Sequence, residues 1–175
     1  NSGSIKDGDC QWMTAGSGLQ HSEMFPLLNK NGNNPLELFQ IWLNLPKAKK
    51  FSEPHFAMLW SEEIPRYFEK DKNDKLIEVT LIAGKIGNVY ALKPAPDSWA
   101  ADENNEVGIW LIKLESNAKW TIPPASFGVN RSIYFYKGVD IKFAGINVMP
   151  YHSVDLLADQ SVLLENGNSD AFLLL

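Results

Sequence analysis

Cysteine is almost absent from this sequence of 175 residues, because Cys10 is the only one. A disulfide within the chain and a zinc site built from several cysteines are therefore excluded. A single cysteine fits a reducing compartment, and we expect a cytoplasmic location. No apolar run approaches the ~20 residues that a membrane-spanning helix requires, so we expect no membrane partner.

Positive charge is also scarce, because 16 Lys and Arg face 21 Asp and Glu, for a formal net charge of -5. Direct binding to nucleic acid is not expected of an acidic chain without a basic stripe, since phosphate contacts supply most of that affinity. The short cluster of Lys47, Lys49 and Lys50 is interpreted as a solvated loop. The sequence has no Gly-rich phosphate loop or dinucleotide fingerprint, so nucleotide chemistry has little support.

Apolar residues alternate with a period of two, which is the period of a β-strand. The clearest case is 39–45, whose apolar face would consist of Phe39, Ile41, Leu43 and Leu45. Further strand-like runs, separated by Gly, Asn, Asp and Pro, are 9–13, 19–25, 76–83, 87–92, 107–114, 131–137, 139–148, 153–158, 160–164 and 170–175. Many short strands without a long helix predict an all-β barrel or sandwich.

A polar, proline-containing stretch between residues 93 and 106 interrupts the series of strands. Such stretches are typical of domain boundaries. We therefore expect one domain over residues 1–95 and a second over residues 96–175, each forming a small β-barrel.

His21 and Glu23 are the candidate metal ligands. They are two residues apart on the predicted strand 19–25, so both side chains would leave the same face. An imidazole and a carboxylate can bind a divalent first-row metal. This spacing is common, and two satisfied polar residues are the alternative interpretation. His55, in a predicted loop, and His152, at the head of a predicted strand, are interpreted as surface or capping residues.

The sequence around this pair resembles a known family. The block GDCQWMTAGSGLQHSEMF, residues 8–25, is similar to the second metal-binding motif of the pirin family. The segment FQIWLNLP, residues 39–46, resembles the strand that follows in that family. The resemblance is strongest over residues 8–46 and weakens after about residue 100.

The resemblance implies two tandem cupin-type barrels, or jelly rolls, the first of them incomplete in this chain. Residues 1–95 would be the remainder of the N-terminal cupin domain with half of a metal site, and residues 96–175 a C-terminal cupin-like domain without metal. The family's metal is held by three His and one Glu, of which His21 and Glu23 match two. An upstream His-x-His motif supplies the others, and this sequence lacks it. We therefore expect an internal piece of a longer protein, in which the pair are ligands if the upstream strand is restored.

The implied function is a quercetin 2,3-dioxygenase-type oxidoreductase acting on a small aromatic, flavonol-like substrate. The metal would orient the flavonol and dioxygen, and Glu23 would serve both as ligand and as catalytic base. Iron is the first choice of metal, and Ni, Cu, Mn and Zn remain alternatives. Other family members imply a different function, a regulatory module that binds a protein partner and keeps a structural or redox-sensing metal. A third interpretation is a cupin that has lost its activity.

Several hydrophobic residues near the pair would support the site. Trp12, Trp42 and Met24 are interpreted as barrel core or pocket wall. Cys10 is interpreted as a small buried hydrophobe rather than a reactive thiol.

Overall fold

The computed structural model describes residues 8–175, and nearly all of their regular structure is β-strand. The strands are β1 (Cys10–Thr14), β2 (His55–Leu59), β3 (Arg66–Lys70), β4 (Leu76–Ala83), β5 (Lys85–Ile86), β6 (Val89–Tyr90), β7 (Ile109–Leu114), β8 (Lys119–Ile122), β9 (Arg131–Lys137), β10 (Ile141–Phe143), β11 (Ile146–Val148), β12 (His152–Leu156), β13 (Val162–Asn166) and β14 (Ala171–Leu174). Among these residues, single-turn 3-10 helices are present at Lys47–Lys49, Trp99–Ala101 and Glu103–Asn105. None of the helices in residues 8–175 is long and apolar enough to cross a membrane.

Two antiparallel sheets enclose the main core. A six-stranded sheet has the order β12-β9-β14-β7-β4-β3, and a four-stranded sheet has the order β11-β10-β13-β8. Alternate residues of each strand point between the sheets, as the period of two requires. Ile77 and Phe135 of the six-stranded sheet are buried there. They pack with Trp120 of β8 and Leu164 of β13, which belong to the four-stranded sheet. The two sheets thus pack face to face around one apolar core and form a two-sheet β-barrel.

A second, smaller core lies against the other face of the six-stranded sheet. Strands β1 and β2 pair with each other, and Trp12 and Leu59 from this pair pack with Ile82, Ile109 and Leu174. The six-stranded sheet is therefore covered by apolar side chains on both of its faces. This explains why β4 and β14 end in consecutive apolar residues rather than in strict alternation.

The boundary expected near residue 95 stays a prediction. Within the described residues, β3 and β4 precede it and pair into the same sheet as β7, β9, β12 and β14, which follow it. Strands from both sides of residue 95 thus share one core.

Candidate metal-ligand segment

Strand β1 carries the first half of the motif and is fixed by two side-chain hydrogen bonds. Trp12 and Thr14 point inward and are buried. The Trp12 Nε1–H donates to Ser98 Oγ over 3.1 Å, and the Thr14 hydroxyl donates to the carbonyl oxygen of Pro96 over 2.7 Å. The strand that precedes the candidate ligands is therefore anchored to residues 96–98. The expectation that Trp12 is buried is confirmed.

The chain then turns at Gly16. Its φ is +51°, and a Cβ atom there would lie 2.1 Å from the carbonyl oxygen of Ser52. Only glycine fits this close approach and this left-handed conformation. Next to it, the Ser17 N–H donates to the same Ser52 oxygen over 2.9 Å. Ser17 and Ser52, the two ends of a long segment, are therefore in contact.

His21 and Glu23 lie in this segment, and the structure brings them together. The His21 Nε2 and Glu23 Oε1 atoms are 3.9 Å apart, and both side chains are partly exposed. The predicted strand 19–25 was wrong, because residues 19–25 have no regular secondary structure. Strand β1 pairs instead with β2, which the sequence did not indicate. The pair is therefore held on an irregular segment rather than on one face of a strand.

The other two histidines have partners of their own. The His55 Nε2 lies 3.3 Å from Asp97 Oδ2, and the Lys49 Nζ lies 3.4 Å from Asp97 Oδ1. His55 is the first residue of β2, so its expected place in a loop was wrong. His152 begins β12 as expected, and its Nδ1 lies 3.1 Å from the carbonyl oxygen of Pro150. Neither joins His21 and Glu23.

The donor set is too small for a complete metal site. Metal–nitrogen and metal–oxygen bonds are about 2.1 Å long, so two atoms 3.9 Å apart can reach one ion. Within residues 8–175, however, no group of three or more His, Cys, Asp or Glu side chains could hold a metal. The described residues place two candidate ligands within reach of one ion and do not complete a metal site.

A groove of about 690 Å³ lies between residues 39–43 and the six-stranded sheet. Phe39 packs edge-on against Tyr136, with the ring centroids 4.7 Å apart. Burial, and to a smaller extent the charge of Glu37, raises the pKa of Tyr136 to about 12. The groove is largely apolar and aromatic. It could not be predicted from the sequence, because the residues that form its walls are far apart in the chain.

The segment from residue 19 to residue 45 differs most from the sequence expectations. The strand predicted at 39–45 was wrong, because these residues are not hydrogen-bonded into a sheet within the described part of the chain. Met24 is 90% exposed and Trp42 is 87% exposed, so neither lies in a core. Trp42 lines the groove, which agrees with its interpretation as pocket wall, whereas the interpretation of Met24 as core or pocket wall was wrong. Cys10 is half-buried against the second core, and burial raises the pKa of its thiol.

Comparison of the chain with known proteins shows the following. The family model for Pirin matches residues 1–43. Pirin of Homo sapiens is 30% identical over 174 residues, covering 95% of this chain and 52% of that protein. Pirin-1 of Arabidopsis thaliana is 38% identical over 120 residues, covering 57% of this chain and 38% of that protein. A Pseudomonas aeruginosa protein, provisionally named a quercetin 2,3-dioxygenase, is 38% identical over 114 residues, covering 65% of this chain and 36% of the relative.

Two solved structures are similar over 97% of this chain. A quercetin 2,3-dioxygenase from Acinetobacter baumannii has a TM-score of 0.61 at 17% identity, with 55% of its chain covered. A protein from Geobacillus kaustophilus has a TM-score of 0.65 at 22% identity, with 63% of its chain covered. At such identities the likeness shows the fold alone. The chain spans about half or less of the length of the curated relatives that it matches.

The antiparallel strands, the two-sheet core and the structural likenesses define an all-β protein of the cupin type. The strand pattern predicted the all-β class, and the family resemblance implied the cupin type. Sequence identity with the curated relatives identifies the family within this class. The chain belongs to the pirin family.

Proposed function

We propose that His21 and Glu23 are two ligands of a divalent first-row metal centre in a pirin-type cupin. The observation that carries the proposal is the approach of His21 Nε2 to Glu23 Oε1 within 3.9 Å on a partly exposed segment. Iron is the first choice, and Ni, Cu, Mn and Zn remain alternatives, because a mixed nitrogen and oxygen donor pair does not discriminate strongly among them. The remaining ligands must come from outside residues 8–175.

We further propose oxidation of a small aromatic, flavonol-like substrate as the activity. The support is similarity to relatives that are named as quercetin 2,3-dioxygenases. In this proposal Glu23 also accepts a proton from a substrate hydroxyl, for which its carboxylate is accessible. A reducing, cytoplasmic compartment is proposed as the setting, since Cys10 has no cysteine to pair with.

Metal content and substrate consumption test the two parts separately. The chain is loaded with Fe(II), and bound metal is measured after gel filtration for the wild type, His21→Ala, Glu23→Gln and the control His152→Ala. We expect weak binding that is lost in the first two variants and kept in the control. Stoichiometric metal that survives His21→Ala would show that the ligands are elsewhere.

Quercetin depletion under oxygen tests the activity on protein with bound metal. Glu23→Gln should slow depletion more than His152→Ala does. If the metal-loaded protein leaves quercetin unchanged, the dioxygenase proposal fails while the ligand proposal stands.

A regulatory, non-enzymatic function is the second candidate. The observation that favours it is the incomplete donor set, because a structural or sensing metal can be held at a site shared with another polypeptide. In that case, metal would change partner binding, and His21→Ala would abolish this change without any effect on quercetin.

A further inference from the structure

The dipeptide Asn-Gly occurs twice in this chain, at Asn31-Gly32 and at Asn166-Gly167. In such a dipeptide the backbone nitrogen of the glycine can attack the side-chain amide of the asparagine, because no Cβ atom obstructs its approach. Nucleophile and amide belong to one chain and close a small ring, so the attack has the advantage of an intramolecular reaction. The structure places the two dipeptides in opposite surroundings.

The first dipeptide lies in a loop, residues 29–34, that is held by its own side chains. The Asn29 N–H donates to Asn34 Oδ1 over 2.7 Å, and the Asn34 Nδ2 donates back to the Asn29 carbonyl oxygen over 2.8 Å. The Asn31 N–H donates to Asn29 Oδ1 over 3.0 Å. Each of these bonds joins two members of the same loop, so the conformation of the loop is set locally.

These bonds leave the two reacting groups of the first dipeptide free. Asn31 and Gly32 are both exposed to solvent. Within residues 8–175, neither the Asn31 side chain nor the Gly32 N–H forms a hydrogen bond. The side-chain amide is therefore able to rotate toward the glycine nitrogen, and hydroxide in the solvent is able to remove the proton from that nitrogen.

The second dipeptide is held at both reacting groups. The Asn166 Nδ2 donates to the carbonyl oxygens of Glu115 and Ser169, each over 2.7 Å. The Gly167 N–H donates to the carbonyl oxygen of Asp140 over 3.2 Å. Asn166 is also buried, so its side chain can rotate only when this part of the barrel opens.

We propose that Asn31 is a site of spontaneous deamidation, and that the fold protects Asn166 from the same reaction. The Gly32 nitrogen loses its proton and forms a bond to the Asn31 Cγ. The Cγ–Nδ2 bond breaks, and Nδ2 takes up a proton and leaves as ammonia. Water then opens the resulting succinimide ring at one of its two carbonyl groups, which gives either aspartate or isoaspartate at position 31.

The other asparagines of the loop are less suited to this chemistry. Asn34 is followed by Pro35, whose backbone nitrogen carries no proton. Asn29 and Asn33 are followed by residues with side chains, which obstruct the attacking nitrogen. Deamidation in the loop should therefore be concentrated at Asn31.

The products differ from asparagine in charge and, in one form, in backbone length. Both products carry a carboxylate where Asn31 is neutral. Isoaspartate also adds a methylene group to the backbone between Asn29 and Asn34, whose hydrogen bonds close the loop. The segment that carries His21 and Glu23 should thus change with the age of the molecule.

Peptide mass spectrometry tests the proposal. The chain is incubated at mildly alkaline pH, folded or unfolded in urea, and is then digested at mildly acidic pH, where the glycine nitrogen stays protonated and the attack is slow. We expect Asn31 to gain the mass of deamidation at a similar rate in both samples. Asn166 should react at least about tenfold more slowly in the folded chain than in urea, because its reaction requires local opening.

Isoaspartate is counted separately, by the methyl groups that a protein isoaspartyl methyltransferase transfers to it. Gly32→Ala should abolish this signal at position 31, because the added methyl group lies beside the attacking nitrogen. The new Cβ would lie 2.8 Å from Asn29 Nδ2, which is the end of a flexible side chain and can move aside. Asn33→Gln is the matched control, since it leaves the dipeptide intact and should give the wild-type rate.

The proposal is overturned if folding slows the deamidation of Asn31 as much as that of Asn166, or if Gly32→Ala reacts at the wild-type rate. Conversion of Asn31 to aspartate without isoaspartate also overturns it, because that product would come from direct hydrolysis and not from the succinimide ring. Isoaspartate at position 31 of the folded wild type, together with an unreactive Asn166, supports it.

Discussion

Asn166 offers the sharpest test of how the barrel is held together. Its side chain is buried at 9% exposure on β13. Its Nδ2 lies 2.7 Å from the carbonyl oxygens of Glu115 and Ser169, and 3.2 Å from that of Leu114. One amide group thus joins the turn after β7 to the turn between β13 and β14. We expect Asn166→Ala to destabilise the fold and Asn166→Asp to destabilise it further.

The magnitude follows from the hydrogen bonds. The –NH2 group has two hydrogens, so two good bonds are lost in Asn166→Ala, at roughly 1 kcal/mol each. Carbonyl oxygens left without a donor add to this, for a total of about 2–4 kcal/mol. Asn166→Asp keeps the shape but places a carboxylate against the same three carbonyl oxygens. Its cost should therefore be larger at pH 7 and should shrink at acidic pH, where the protonated carboxyl can donate.

Urea denaturation measures both variants, with midpoints compared at equal slope. Asn147→Ala is the control, because Asn147 is exposed on β11, and its stability should stay within about 0.5 kcal/mol of the wild type. The reasoning is refuted if Asn166→Ala costs less than about 1 kcal/mol, or if Asn166→Asp is as stable as Asn166→Ala at pH 7.

Three further outcomes are expected. The pKa of Tyr136 is raised to about 12 in the folded chain, so its neutral form contributes stability that is fully present below pH 10 and is lost as the pH rises from about 10 to 12. Tyr136→Phe should therefore reduce the fall in the free energy of unfolding over this pH range. Burial raises the pKa of the Cys10 thiol, so iodoacetamide at pH 7.5 should alkylate the folded chain more slowly than the urea-unfolded chain, and equal rates would contradict this. Thr14→Val removes the 2.7 Å bond to Pro96 and should cost about 1–2 kcal/mol in urea denaturation, whereas Thr14→Ser should retain most of the stability.

The strands of the main barrel could be predicted from local pattern. The prediction of 76–83 coincides with β4, and that of 131–137 coincides with β9. The run 139–148 is two strands, because Ala144 and Gly145 both have positive φ and form a tight turn between β10 and β11. Inward-facing Ile, Val and Phe at every second position carry enough information for such strands.

Strands with a weak or short pattern could not be predicted. Strand β3 is mostly exposed and contains Arg66, Glu69 and Lys70, so it lacks an apolar face. Strand β8 does alternate, with Trp120 and Ile122 buried, but its four residues are at the lower limit of length at which alternation indicates a strand. Conversely, residues 39–45 have a strong strand pattern but form no strand within the described residues. A strand also needs a neighbouring strand with which to pair, and the local sequence carries no information about that neighbour.

Part of the candidate site could be predicted from the sequence, and part could not. The motif at residues 8–25 pointed to His21 and Glu23, and their side chains do meet. The Asp97 contacts with His55 and Lys49 were missed, because residues far apart in sequence meet there. No local spacing rule identifies such a cluster.

The contact between Ser17 and Ser52 fixes the two ends of the segment that carries His21 and Glu23. A loop closed in this way changes its closure free energy only slowly with length, by about 0.6 kcal/mol for each doubling. Insertions or deletions between Ser17 and Phe39 should therefore cost the barrel little, because the residues of the segment that pack on it, Phe39 and Leu43, lie beyond them. The barrel can therefore act as a constant support on which different versions of this segment are exchanged in the laboratory.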